Sequence, residues 1–222
     1  MGFWTKAFGT GFYDSLMPFT YKGTLNEAAQ EYNTVNKDVL DIGCGTGAVL
    51  PFLKGVNSYT GVDIDNSGVN KCNLRLKSLN INGKALVQDI IESTENLGEY
   101  DLIFLCWVLY VIPVELQEKF LLKIKTMMKP SSKLIVLVPS EEYSWKTIIG
   151  SNIEKDKKSI LTKVKYFILK IWYKRLENEI KNGKFSYYRE NEIKSKFSSV
   201  GYKVNNIRKT YDGCAYLVSL SL

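Results

Sequence analysis

Between residues 36 and 140 the chain alternates short apolar runs with longer amphipathic stretches. Val39–Ile42, Tyr59–Val62, Ala85–Val87, Leu102–Cys106 and Leu134–Val138 are short and rich in β-branched and aromatic residues, as strands are. Between them, Thr46–Leu53, Ser67–Ser78 and Glu115–Met128 carry helical spacing, with Lys129-Pro130 placed to stop the last helix before the fifth strand. Strands that are apolar throughout, separated by amphipathic helices, predict a parallel sheet with helices on both faces. Beyond Pro139 the pattern changes. Ile160–Ile180 has apolar residues at 160, 161, 164, 167, 168, 171, 172 and 176, opposite a lysine-rich face, which predicts a long helix. Glu190–Val200 reads as another helix. Lys203–Thr210 and Ala215–Leu220 read as two strands joined through Tyr211-Asp212-Gly213, a hairpin signal.

Composition then removes whole classes of chemistry. The chain has 222 residues, 45% of them hydrophobic and 24% charged, and no histidine. A Ser-His-Asp triad, a Cys-His dyad and any His-bearing metal site are therefore excluded. General acid–base work near pH 7 loses its usual carrier. No apolar run approaches the ~20 residues of a membrane span, and MGFWTKAFGTGFYD lacks the core of a signal peptide. Cys44, Cys72, Cys106 and Cys214 show no paired spacing, so they read as free thiols of a reducing, cytoplasmic compartment. The formal charge of +7 is concentrated: residues 154–184 hold ten Lys or Arg against four acids, leaving the rest near neutral. A globally basic nucleic-acid binder is not indicated.

The chemistry is carried by Val39-Leu40-Asp41-Ile42-Gly43-Cys44-Gly45-Thr46-Gly47, a strand that runs into Gly-x-Gly-x-Gly. Glycines there permit unusual backbone angles and let a ligand approach closely. Sixteen residues past Gly47, Asp63 ends the second strand, where an acid can accept bonds from a ribose diol. Asp89 closes the third strand in the same way. The dinucleotide pattern, Gly-x-Gly-x-x-Gly, is not met, and no Gly-Lys-Ser/Thr follows. The acidic Asp41 before the loop suits a cation rather than a pyrophosphate. The implied ligand is an adenosine without phosphate that carries a positive group.

DVLDIGCGTGAVLPFL, YTGVDID, LVQDI and YDLIFLCWVLYVI, in that order, resemble the successive motifs of class I S-adenosylmethionine-dependent methyltransferases. The resemblance covers residues 36–140. It implies an α/β fold: a seven-stranded, mostly parallel Rossmann-like sheet with helices on both faces and an antiparallel last strand. A helical N-terminal cap (1–35), a helical insertion after strand five (141–188) and a last helix with hairpin strands (189–222) complete a single domain. It also implies S-adenosyl-L-methionine as cofactor and S-adenosyl-L-homocysteine as product. Gly43, Cys44, Gly45 and Gly47 would lie against the cofactor's amino acid and sugar, with Asp41 near its ammonium. Asp63 would hold the ribose, Ile64 and Ile90 would flank the adenine, and Asp89 would take its amino group. Cys106 and Trp107 would line the methionine end. Methyl transfer from a sulfonium expels a neutral thioether and needs no base unless the acceptor starts protonated, which agrees with a chain free of histidine.

For the acceptor, the segments Phe12-Tyr13-Asp14 to Tyr21, Trp107 to Tyr110, and Tyr143 onward are all aromatic. They point to a flat, apolar or cationic small molecule, with Tyr13, Asp14 and Tyr110 as candidate catalytic residues and no metal. The Trp-Val pair also resembles protein N-terminal methyltransferases. That family's catalytic histidine falls on Val111, however, and its Asp-Asn after strand five is replaced by Val138-Pro139-Ser140. Protein or RNA methylation and a non-catalytic cofactor-binding module stay as alternatives. The basic segment 157–180 has three readings: a packing helix, a lid over the acceptor, or a peripheral membrane contact.

Overall fold

The computed structural model describes residues 19–155 and 160–222. Its sheet follows from strands that are apolar on both faces. β1 (Asp38–Ile42), β2 (Ser58–Asp63), β3 (Gly83–Val87), β4 (Tyr100–Cys106) and β5 (Met128–Pro139) run parallel; β7 (Ala215–Ser221) returns antiparallel between β5 and β6 (Lys203–Thr210). The order is β3-β2-β1-β4-β5-β7-β6. This is the expected seven-stranded Rossmann-like sheet with its reversed hairpin.

Successive residues alternate between two cores, as a pleat of period two requires. Ile103 and Leu105 of β4 and Val136 of β5 face one core, against Phe120 and Leu121 of α3 (Val114–Lys125) and Phe197 of α6 (Glu190–Ser199). Phe104, Ile135 and Leu137 face the other, against Leu25 and Ala28 of α1 (Phe19–Gln30) and Val69 and Leu76 of α2 (Asn66–Ser78). After β5 come α4 (Trp145–Lys155) and α5 (Ile160–Lys181), the anticipated helical insertion.

Two expected elements differ. Thr46–Leu53 is no α-helix: turns lead into a single 3-10 turn at Leu50–Phe52. Gly47 sits at φ +72°, and Pro51 in the first turn has no amide to donate. The helix expected over Glu115–Met128 ends at Lys125, before Lys129-Pro130, and both of those residues lie inside β5. Pro130 is tolerated because the β4–β5 register is irregular between Tyr100 and Leu102, where a missing donor breaks no ladder bond. Lys129 is held by Asp38 at 3.1 Å and Asp101 at 2.9 Å.

Candidate functional site

β1 and β4 are the neighbours at which strand order reverses, and their carboxyl ends open a crevice where sheets of this kind bind ligands. A cavity of about 460 Å³ lies there, walled by the ends of β1, β2 and β4 and by the loop after β3. Its floor is the glycine loop. Gly43, Gly45 and Gly47 have φ of +73°, +49° and +72°, so the chain turns back at each. The amides of Gly43 and Cys44 both donate to the Val62 carbonyl, at 2.8 and 3.1 Å, which ties the loop to β2. Only Gly45 looks onto open space; a Cβ on Gly43 would strike Val108, and one on Gly47 would strike Leu50 and Cys72.

Asp63 joins the two motifs. Its Oδ2 accepts from the Gly45 amide at 2.8 Å and its Oδ1 from the Asp65 amide at 2.9 Å. Burial nonetheless leaves its pKa raised, against the lowering effect of those amides. Asp65 caps α2 through the amides of Ser67 and Gly68. Asp89 Oδ1 accepts from the Ile91 amide at 2.8 Å, a turn that holds the carboxylate at the rim. Ile64 is exposed on the cavity wall and Ile90 is buried in it.

Asp41 lies beneath the loop instead of on the cavity wall. Its Oδ2 accepts from the Tyr59 hydroxyl at 2.7 Å, and burial pushes its pKa up to about 7. Gly47 is likewise below the surface, packed on Cys72. Cys44, Gly43, Gly45, Cys106 and Trp107 all line the cavity. The thiol of Cys44 is held strongly protonated by its bond with Cys72 and by burial, and all four cysteines are free.

The far end of the cavity is aromatic. Trp107 sits at φ +62°, a backbone angle rare for a bulky side chain and one that costs on the order of 1–3 kcal/mol. Its indole Nε1 is buried with no hydrogen-bond partner among the described residues, as is Oε1 of Gln88 on the opposite wall. Tyr21 stacks on Trp107 at 6.1 Å, and Tyr211 meets it edge-on at 5.2 Å. Tyr110 does not reach the cavity: it is 2% exposed and packs behind Trp107 and Phe185. Tyr13 and Asp14 lie outside the described residues. Sequence reasoning missed Gln88, Val111 and Phe185 as wall residues. Phe185 follows the long insertion helix, and no local pattern announces its return to the site.

Three carboxylates (Asp63, Asp65 and Asp89) and no Lys or Arg line the cavity among the described residues. Such a lining repels a pyrophosphate and accepts a neutral or cationic ligand. No group of three or more His, Cys, Asp or Glu is arranged to hold a metal among the described residues.

Comparison with known proteins agrees with this geometry. Protein 235L of Invertebrate iridescent virus 6, assigned as a methyltransferase, is 31% identical over 152 residues. That match covers 65% of this chain and 53% of the viral protein, so the chain spans about half the length of this curated relative. Among solved structures, magnesium protoporphyrin IX methyltransferase (ChlM) from Synechocystis PCC 6803, with bound SAH, superposes with a TM-score of 0.60 at 14% identity, covering 100% of this chain and 88% of that one. The N-methyltransferase NodS from Bradyrhizobium japonicum WM9, in complex with S-adenosyl-l-homocysteine, gives 0.62 at 14% identity, covering 90% and 84%. The methyltransferase-domain family model matches residues 13–206, from before the glycine loop into β6, and the chain belongs to that family.

Proposed function

We propose that this chain is an S-adenosyl-L-methionine-dependent methyltransferase whose acceptor is a neutral or cationic, largely apolar small molecule. The observation that carries the reading is the cavity across β1, β2 and β4, charged among the described residues only by carboxylates and floored by the open face of Gly45. Its volume of about 460 Å³ lies in the range of small-molecule sites. The structural neighbour named for magnesium protoporphyrin IX supports a small-molecule acceptor; the neutral or cationic character rests on the carboxylate lining alone.

In this reading Asp63 accepts from the ribose hydroxyls, and its backbone bonds keep it oriented for that. Ile64 and Ile90 flank the adenine and Asp89 receives its amino group. Gly43, Cys44 and Gly45 lie against the sugar and amino acid. Asp41 and Gly47 act from below: Asp41 holds Tyr59 under the loop and adds negative potential under the ammonium end only once it ionises, at about pH 7 and above in the ligand-free chain, and Gly47 lets the loop pack on α2. The cofactor supplies a methyl group on a positively charged sulfur with a neutral leaving group. The protein supplies orientation and a dry aromatic wall, from Tyr21, Trp107 and Phe185, that tolerates dispersing positive charge. Tyr13 and Asp14 are the proposed polar groups on the acceptor side, and Tyr110 supports Trp107 by packing.

Calorimetric titration with S-adenosyl-L-homocysteine tests the reading. Wild-type chain should bind it and should ignore NAD. Asp63→Ala should weaken binding by about a hundredfold, as expected for a hydrogen-bonded acid at a buried ligand. No binding by the wild type, or equal binding by Asp63→Ala, would overturn it.

A further inference from the structure

The helix α5 has two apolar faces, and the fold uses one. Tyr166, Leu169, Trp172, Leu176 and Ile180 are buried against the rest of the molecule. Phe167 and Ile171 point the other way and are 65% and 55% exposed. With exposed Lys170 and Lys174 they fall within an arc of about 100° at 3.6 residues per turn. A phenylalanine and an isoleucine set among lysines on the outside of a helix gain nothing from water.

The charge around this arc is unbalanced. Residues 154–184 carry a net +6 of the chain's +7. The two acids of α5 are already engaged: Glu177 by Lys181 and by the Trp145 amide, Glu179 by Lys184 and Arg175. Neither carboxylate falls in the arc. The outer face therefore presents large apolar side chains inside a positive field. No described helix is long and apolar enough to cross a membrane, so any lipid contact here lies along the surface.

We propose that the outer face of α5, centred on Phe167, Lys170, Ile171 and Lys174, docks the protein onto an anionic membrane surface. Phe167 and Ile171 enter the boundary between headgroups and acyl chains, and the lysines pair with anionic headgroups. A neutral surface would offer only the apolar half of this contact. A second copy of the chain would bring the same positive field against itself, which disfavours self-association through this face.

Co-sedimentation of the full chain with vesicles tests the proposal. The chain should pellet with phosphatidylcholine vesicles containing phosphatidylglycerol, stay in the supernatant with phosphatidylcholine alone, and be released by salt. The double variant Phe167→Ser, Ile171→Ser and the double variant Lys170→Glu, Lys174→Glu should each bind at least about tenfold more weakly. S-adenosyl-L-homocysteine binding should be unchanged in both, since none of these side chains lines the cavity. Melting temperature should change little: Lys170 Nζ lies 5.3 Å from the centre of the Trp145 ring, and a cation–π contact at an exposed site contributes about 0.5–1 kcal/mol. If the serine pair melts early, the lysine pair carries the test. The proposal fails if the wild type ignores anionic vesicles at low salt, binds phosphatidylcholine equally well, or elutes as a dimer that the serine pair dissolves. It fails also if folded variants bind like the wild type.

Discussion

Asp41 shows how one buried carboxyl can set a pH dependence for the whole chain. Its carboxyl accepts from the hydroxyl of Tyr59, which itself is fully buried, and burial lifts the Asp41 pKa from 3.8 to about 7. The unfolded chain gives up that proton near pH 4, whereas the folded chain holds it until about 7. Between those values the native state binds more protons, so stability falls as pH rises. A shift of about three units corresponds to ~4 kcal/mol at full ionisation. Urea unfolding of the ligand-free chain should therefore give a lower midpoint at pH 8 than at pH 5. Asp41→Asn should flatten that difference, and a midpoint that rises with pH in the wild type would contradict the assignment.

Among the elements, the glycine loop separates a folding role from a binding role. A Cβ on Gly43 would lie 2.2 Å from Val108 Cγ2, a branched side chain with little freedom to yield, and φ there is +73°. Gly43→Ala should cost about 2–4 kcal/mol, from left-handed strain plus overpacking. On Gly45 the Cβ would meet nothing within 4 Å, so Gly45→Ala should cost only the strain, about 1–2 kcal/mol. Its methyl would stand in the cavity, however, and S-adenosyl-L-homocysteine binding should drop. Paired melting and titration measurements on the two variants check this; equal loss of stability in both would refute the division. The same element explains a failed expectation. Thr46–Leu53 has helical apolar spacing, yet Gly47 and Pro51 interrupt the backbone that a helix needs. α5 is a comparable case: its apolar positions read as one stripe, but Phe167 and Ile171 face water while Tyr166 and Leu169 face the core.

For the whole molecule, the cavity sits where β1 and β4 part, with Phe185 and Tyr21 reaching it from distant parts of the chain. A ligand there binds only the folded state. At a hundred times its dissociation constant it adds ~2.7 kcal/mol, which for a domain of this size is roughly 5–10 °C in melting temperature. S-adenosyl-L-homocysteine should produce that rise, and an unchanged melting temperature at saturating ligand would sink it.

The order of strands and helices, the glycine loop and its acid partners were legible in the chain, because period, turn chemistry and ligand motifs are local properties. The first β-strand, Gly43 to Gly47, Asp63 and Asp89 stand within one continuous stretch, and each carries its meaning in its neighbours. Contacts between remote segments carry no such signature. That Asp41 turns under the loop toward Tyr59, that Tyr110 hides behind Trp107, and that Gln88 and Phe185 reach the cavity are outcomes of packing in three dimensions. Trp107 at positive φ is another: nothing in a tryptophan's surroundings in sequence predicts a backbone held against its preference. Which face of α5 meets the core was decided the same way, by the shape of the surface it packs on.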